Sequence, residues 1–312
     1  MNVEHLLDIF TTIDTNSNTW DVCGYFMEHL AWHKRRLVVL GPKIEGLPDN
    51  HRSKPECLLE LSLLFESVGN KMERKRLLVH TLKLWRERRN DFRIADTLGL
   101  LSDANRMLGL YKEGIDQARE ALEIYKRLNN KSAQAHAWND LVRLLHSDGQ
   151  LDAAEEAASR AINLLSDKGD QSDMCQSHRF LGNIYRDKAE TEKAINHYET
   201  APGIATSLSW HGEQFWIHYS LARLFSSDNR FYDAHTHVKH AKSRVINDPY
   251  CLGCAMQLQA GIWQKERKFE EAKSEALRAA DVFEKLGATK NLERCRGILR
   301  DIEAGVGGSA AS

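Results

Sequence analysis

The sequence predicts an all-α fold built from repeated units, and three observations lead to that prediction. Apolar residues recur at helical spacing along most of the chain, runs of β-branched residues are nearly absent, and only 5 of the 312 residues are proline. In addition, segments about 40 residues apart in the sequence resemble one another. Such self-similarity is typical of folds in which each unit buries its apolar face against the next.

The repeat can be placed in register at one position of each unit, where a small residue usually stands. Successive occurrences are separated by 40 residues, except for a last interval of 38. Each unit is divided by a polar or glycine-containing break, which is typical of two helices joined by a tight turn. The register position holds Arg74, Gly114, Ala154, Ala194, Ala234 and Ala272, and the breaks fall near Gly69, Gly109, Gly149, Ala189, Asn229 and Arg267. Six helical hairpins are therefore predicted.

One unit, HRFLGNIYRDKAETEKAINHYETA, resembles the tetratricopeptide repeat (TPR) family. The resemblance implies that the hairpins stack into a right-handed α-solenoid over residues 56–304, because one hairpin cannot bury its apolar face alone. Residues 1–55 fit the repeat poorly and predict N-terminal capping helices or a degenerate repeat, and the segment GVGGSAAS, which has nothing to bury, predicts a disordered tail over 305–312. Pro202 falls inside a second helix and predicts a kink or a shortened helix there. The matching framework residues are Leu181, Gly182, Tyr185, Ala194, Tyr198 and Ala201.

A narrower resemblance is to the C-terminal TPR arrays of fungal NACHT-type signalling NTPases. It is carried by WHKRRLVVLGPKIEGLPDNHRSKPECLLELSLLFESVGN and LDAAEEAASRAINLLSDKGD. The nucleotide-binding module of that family has a glycine-rich loop ending in Lys-Ser or Lys-Thr, whose amides hold phosphate. Here Gly41 and Gly46 have the glycine spacing, but Leu47 and Pro48 follow them, so this is not a phosphate loop. The resemblance implies a sensor or partner-binding arm without the NTPase.

Charge and composition narrow the class of protein. The 43 basic and 44 acidic residues give a formal net charge of −1, so the overall charge favours neither nucleic acid nor an anionic membrane as a partner. No apolar run approaches the roughly 18 to 20 residues of a membrane helix, and MNVEHLLDIF lacks the features of a secretory signal. Six scattered cysteines in such a chain indicate reduced thiols. We therefore expect a cytoplasmic protein.

His237 and His240 precede Cys251 and Cys254 at a spacing compatible with zinc binding. In the TPR frame, however, the histidines lie on a second helix and Cys254 lies on the groove side of the next first helix. Ligands on opposite sides of the solenoid could not converge at the roughly 2.0 to 2.3 Å that zinc requires. The sequence therefore predicts no metal and no cofactor at this segment.

Catalytic motifs are also absent from the sequence, which has no GxSxG elbow, no kinase signature and no dinucleotide-binding glycine motif after a strand. The chain is therefore not expected to be an enzyme. An enzyme of unknown reaction stays a minority alternative, because catalytic residues need only be close in space.

The TPR resemblance implies that a concave groove, lined by the first helices, is the functional surface. Arginines there supply planar donors for carboxylate or phosphate groups, and aromatic side chains can stack on a ligand. Asp140 and Asp187 share this surface, so pairing within the array is as well supported as ligand binding. The groove positions hold Arg106, Asn139, Arg143, His146, Arg179, Asn183, Arg186, Trp216, Tyr219 and Arg223.

These observations predict a non-catalytic scaffold or sensor module for protein–protein interaction. Its partner would be a protein or peptide, with an acidic or extended segment bound in the groove. The competing hypothesis is a regulatory TPR domain that senses a small molecule at the same surface.

Overall fold

The computed structural model describes residues 22–165, 171–207, 210–245 and 248–309, and the regular secondary structure in these ranges is entirely α-helical. The predicted all-α helical-repeat fold is confirmed. Residues 1–21 of the predicted capping region and residues 310–312 lie outside the described residues. None of the described helices has an apolar stretch long enough to cross a membrane. The helices are α1 Val22–Glu45, α2 Lys54–Ser67, α3 Lys71–Glu87, α4 Asp91–Met107, α5 Tyr111–Arg127, α6 Lys131–Ser147, α7 Leu151–Leu165, α8 Gln171–Asp187, α9 Thr191–Ser207, α10 His211–Ser227, α11 Phe231–Arg244, α12 Pro249–Lys265, α13 Phe269–Lys285 and α14 Thr289–Ser309.

Three-residue links explain the length of the repeat. The middle residue of each such link has a positive φ, between 51° and 80°, which turns the chain out of the helix. In the link between α3 and α4, the backbone N–H of Asn90 donates to the carbonyl of Trp85 at 3.3 Å, while its side chain accepts from the N–H of Arg93 at 3.1 Å. One link thus ends a helix and caps the next. All six predicted breaks are middle residues of this kind, and two 17-residue helices with their links make the 40-residue period.

The first of two compact units is Met1–Ile124. Its buried apolar residues lie on all five helices, and one cluster of them joins α1, α2 and α3. Arg74 stands at the register position and is only 3% exposed, with its Nη1 at 3.1 Å from Oε1 of Glu66 and 3.1 Å from Oδ2 of Asp103. Two carboxylates therefore offset the burial of this guanidinium. The cluster consists of Leu40, Ile44, Leu58, Leu61, Leu64, Leu77 and Leu84.

The second unit, Tyr125–Ser312, contains α6 to α14. Small residues set the distance between paired helices in this unit. A Cβ atom at Gly182 would lie 2.5 Å from Cε1 of Tyr198, so α8 and α9 pack at a distance that only glycine allows. Tyr198 is completely buried. The register residues of this unit, Ala154, Ala194, Ala234 and Ala272, are completely buried as well.

Two helices run further than the sequence predicts. α9 has 17 residues, like most of the others, although it contains Pro202. Of the two outcomes predicted from Pro202, the shortened helix was wrong, because the loss of one amide donor does not end a helix that packs against α8, while a kink stays a prediction. α14 continues to Ser309, beyond the end predicted for the array at residue 304.

Candidate functional site

The first helices of the second unit carry most of the predicted groove residues. α6, α8, α10, α12 and α14 contact one another in that order, and we call the surface they form the first-helix face. Nine of the ten predicted residues lie on α6, α8 and α10. The tenth, Arg106, lies on α4 in the first unit. There its Nη2 and Nε contact Oδ1 of Asp103 at 2.8 and 3.2 Å, so its charge is paired locally.

Asn139 is an interior residue and does not face a ligand. Its side chain is 1% exposed. Its Nδ2 donates to the backbone carbonyl of Asp173 at 3.0 Å, and its Oδ1 accepts from Oγ of Ser177 at 2.7 Å. His136 Nδ1 lies 3.2 Å from Oδ1 of Asp173, and this hydrogen bond, opposed by burial, raises the pKa of His136 to about 9. Asn139 therefore joins α6 to α8 through a satisfied polar network.

Arg143 and His146 of α6 and Arg186 of α8 are paired with acceptors on the same two helices. Arg143 Nη1 lies 3.4 Å from Oδ1 of Asp140, and His146 Nε2 lies 2.8 Å from Oδ2 of Asp187. Arg186 Nε donates to Oδ1 of Asp187 at 2.9 Å. Burial alone would raise the pKa of Asp187, but the bond with His146 and the charge of Arg186 lower it to about 2.

Asn183 and Arg179 are held in a similar way. Asn183 Oδ1 accepts from Nη1 of Arg186 at 3.2 Å and from the hydroxyl of Tyr198 at 2.7 Å. Arg179 Nε donates to the carboxylate of Glu213, whose side chain is 5% exposed, and the guanidinium lies 4.6 Å from the ring centroid of Phe180. Of the two roles weighed for the arginines, pairing within the array therefore applies to those of α4, α6 and α8.

The predicted aromatic residues lie together on α10. The rings of Trp216 and Tyr219 meet edge to face with centroids 5.6 Å apart, and both contact Phe215. Both side chains are partly buried. Burial raises the pKa of the Tyr219 hydroxyl to about 12, so this group is a neutral hydrogen-bond donor at physiological pH.

A cavity of about 480 Å³ lies beside this aromatic cluster, between α10, α12 and α14. Tyr219 and Arg223 are the two predicted groove residues that line it. Arg223 is exposed and makes no hydrogen bond or ion pair among the described residues. Although the side chain is reached by solvent, the walls around it displace part of the surrounding water, and this loss, followed by the charge of Arg186, lowers the pKa of its guanidinium. Arg223 thus differs from the arginines of α6 and α8, because its charge is left without a partner.

Sequence reasoning missed the cavity walls on α12 and α14. The repeat frame, extended by one unit, would have found the α12 residues, since they occupy the same positions as the α10 residues. Extended by a further 40 residues, the frame would also have found those of α14, which follow Cys254, Gln257, Leu258 and Gly261 by one repeat. The missed residues are Gln257, Leu258, Gly261, Gln264 and Lys265 on α12, and Arg294, Gly297, Ile298 and Asp301 on α14.

Histidines are also paired between first and second helices. His178 and His197 lie with their Nδ1 atoms 3.0 Å apart, and 40 residues later His218 and His237 repeat the contact at 3.1 Å. His240 adds a third ring, 5.2 Å from His218. Burial, followed by the charges of His237 and His240, lowers the pKa of His218 to about 4.

The two histidines and two cysteines whose spacing is compatible with zinc binding have different surroundings in the structure. His237 and His240 lie beside His218, whereas Cys251 and Cys254 are buried thiols whose pKa values burial raises. No group of three His, Cys, Asp or Glu side chains is arranged to hold a metal ion in the part of the chain that the structure describes.

The family described as soluble NSF attachment protein, SNAP, matches residues 104–250, slightly less than half of the chain. A search of curated protein sequences found no match. A Rap protein in complex with competence and sporulation factor is similar in structure, with a TM-score of 0.65 and 10% identity over 98% of this chain and 92% of that chain. Aspartyl phosphate phosphatase F from Bacillus subtilis gives a TM-score of 0.58 and 11% identity over 97% and 87%.

A signal transduction ATPase with numerous domains (STAND) from Pyrococcus horikoshii, which has a tetratricopeptide repeat sensor, is similar as well. Its TM-score is 0.58 with 14% identity, and the match covers 91% of this chain and 47% of that chain. Likeness at such low identity concerns the fold and not the activity. These structures confirm a TPR-like helical-repeat fold for the chain.

Proposed function

We propose that the chain is a non-catalytic protein-interaction scaffold that binds a segment of a partner protein. The binding surface is the part of the first-helix face formed by α10, α12 and α14. One observation carries the proposal: Arg223 lines an open cavity beside Trp216 and Tyr219 without an intramolecular partner, whereas Arg143 and Arg186 are paired. Arginine and aromatic side chains are the residue types that dominate binding energy at protein interfaces.

The fold supports this proposal. Stacked helical repeats present an extended surface on which a partner can lie, and binding along such a surface requires no catalytic group. The similar Rap protein is in complex with competence and sporulation factor. Five free cysteines among the described residues fit a reducing compartment, and we propose the cytoplasm as the setting.

A peptide-display selection tests the proposal. The full chain would be used as bait, and each enriched peptide would be retested on Arg223→Glu and on Arg143→Glu. The two arginines stand at the same repeat position, 80 residues apart, so the second variant is a matched control for charge reversal on this surface. We expect enriched peptides to lose at least tenfold in affinity for Arg223→Glu and little for Arg143→Glu. Equal affinity for the three proteins, each with an intact circular dichroism spectrum, would contradict the proposed surface.

We further propose that the scaffold is the sensor arm of a NACHT-like NTPase. The similar STAND protein combines a tetratricopeptide repeat sensor with further domains, and the matched region is 47% of that chain. An antibody against residues 131–165 would give the size of the endogenous protein. A band well above the 35.6 kDa of this sequence is expected, and a band at that size would contradict the sensor-arm proposal while leaving the scaffold proposal in place.

A further inference from the structure

The cavity between α10, α12 and α14 has the size of a ligand site. Its volume of about 480 Å³ falls within the roughly 300 to 1,000 Å³ typical of pockets that enclose a small molecule or a few side chains. Its walls combine apolar side chains, such as Leu258 and Ile298, with the cations Arg223 and Arg294. This mixture suits a ligand that carries both a carbon chain and an anionic group.

Two glycines border the cavity. Gly261 lies inside α12 and Gly297 inside α14, and a Cβ atom at either position would meet nothing within 4 Å. Glycine weakens a helix interior relative to alanine. At Gly182 and Gly253 the close approach of Tyr198 and Phe283 explains the glycine. At Gly261 and Gly297 no packing contact does so, and both residues line the same cavity.

The charges around the cavity are unbalanced. Arg223 and Arg294 are exposed and make no hydrogen bond or ion pair with other described residues. Lys265, in contrast, donates to the backbone carbonyl of Ser226 at 2.8 Å. Asp301 is the one carboxylate on the walls, and it accepts from Nε2 of Gln264 at 3.5 Å. Two guanidiniums are therefore available to an anion that enters the cavity.

We propose that this cavity binds a carboxylate group, which Arg223 and Arg294 hold while the attached carbon chain packs on Leu258 and Ile298. A guanidinium presents parallel N–H donors that match the two oxygens of a carboxylate. The inference rests on the proposed function, since the carboxylate is supplied by an acidic side chain of the bound partner segment. The acidic residue that enters the cavity would thus be the residue that fixes the partner segment in place.

Isothermal titration calorimetry on the full chain tests this assignment. The probe is the capped peptide acetyl-Ala-Ala-Glu-Leu-Ala-amide, and the same peptide with Gln in place of Glu is the control ligand. We expect the glutamate peptide to bind at least tenfold more tightly than the glutamine peptide. A hydrogen bond to a charged group contributes about 1.5 to 3 kcal/mol, so Arg223→Gln and Arg294→Gln should each weaken binding by roughly 10- to 100-fold.

Gly261→Leu gives a second, independent variant. Its side chain would enter the cavity without meeting a neighbour at Cβ, so the fold is expected to survive while binding of the glutamate peptide is lost. Arg143→Gln is the matched control, because Arg143 lies on α6 and is paired with Asp140. Equal binding of the two peptides, or binding of the glutamate peptide that survives Gly261→Leu, would overturn the proposal.

Free glutarate and inorganic phosphate separate the ligand chemistries. Weaker binding of glutarate than of the glutamate peptide supports a carboxylate presented by a partner segment. If glutarate binds more tightly than the glutamate peptide, the carboxylate does not come from a partner segment, and the ligand is a small acid. Binding of phosphate without binding of the glutamate peptide would overturn the carboxylate assignment. If display-selected peptides bind wild type and Gly261→Leu equally, the cavity proposal fails and the scaffold proposal stands.

Discussion

Arg143 and Arg223 stand at the same repeat position of the first-helix face, yet only Arg143 is paired. Arg143 belongs to the part formed by α6 and α8, called the α6–α8 part, and Arg223 to the part formed by α10, α12 and α14, called the α10–α14 part. Arg143 lies 3.4 Å from Asp140, three residues earlier on its helix. The residue three positions before Arg223 is Ser220, which offers no charge. Side chains three apart are neighbours on a helix surface, so the residue at that spacing decides whether the arginine is satisfied within the chain.

The two parts differ in packing as well as in charge. In both parts a glycine lets a buried aromatic ring fill the space between a first and a second helix, Gly182 with Tyr198 and Gly253 with Phe283, but between α12 and α14 two further glycines border an open cavity. The α6–α8 part therefore uses its polar residues to hold the array together. In the α10–α14 part Arg223 and Arg294 make no such contact with described residues and are free for a ligand.

The sharpest test of the comparison is to remove one arginine from each part. Arg179→Met would leave Glu213 as an unpaired carboxylate that is 5% exposed, and breaking such a buried pair costs about 3 kcal/mol or more. Arg223→Met should change the free energy of unfolding by less than about 0.5 kcal/mol, because an exposed and unpaired side chain stabilises little. Urea unfolding of both variants measures the difference. Similar losses in the two would mean that the parts are not distinct.

A pair of glycine substitutions compares the packing. Gly182→Ala places a methyl group within 2.5 to 2.9 Å of the Tyr198 ring, which is fully buried and cannot move away, and we expect a loss of roughly 1 to 3 kcal/mol. Gly261→Ala meets nothing within 4 Å and should raise stability by about 0.5 to 1 kcal/mol. Denaturant unfolding gives both values, and a stabilising Gly182→Ala would contradict the close packing described for α8 and α9.

A third test uses pH on the α10–α11 histidines. His218 has a pKa lowered to about 4 by burial and by His237 and His240, with a smaller effect from Arg244. The unfolded chain therefore takes up the proton first, and stability falls as the pH falls from about 6.5 towards about 4. The expected loss is on the order of 1 kcal/mol. His218→Gln should reduce this acid sensitivity in unfolding measurements at pH 7 and pH 5, and an unchanged slope would contradict the role of His218.

Much of the fold could be predicted from sequence because it depends on local features. The six breaks near Gly69 and its equivalents all adopt positive φ, and the register alanines are completely buried. The length of α9 was not predictable from Pro202 alone, since packing against α8 overrides a local preference. The repeat made the breaks and the buried positions predictable, because each unit makes the same contacts with the next.

The candidate site was less predictable, because it depends on which charges meet in space. The frame placed Arg143, Arg179 and Arg186 on the correct helices but did not show that each is paired. The i, i+3 partner of Arg143 is legible in the sequence, whereas Glu213, the partner of Arg179, lies on the next first helix. Arg294 stands 40 residues after Cys254, at a groove position of the repeat frame, but the frame does not show that its charge is unpaired. Three-dimensional contacts were needed for both.

The smallest expected effect belongs to the α6–α8 network and has the opposite sign to that of His218. The hydrogen bond to Asp173 raises the pKa of His136 to about 9, so protonation favours the folded state. This stabilisation is fully present below about pH 6.5 and is lost as the pH rises through about 9. Because His136 is 61% exposed, solvent screening keeps the contribution below about 1 kcal/mol.

The free energy of unfolding at pH 6 and pH 9.5, for wild type and His136→Gln, measures this contribution. A variant that loses as much stability as wild type over this range would show that the bond to Asp173 does not couple protonation to folding, and that the α6–α8 part owes its stability to Asn139 and Ser177 instead.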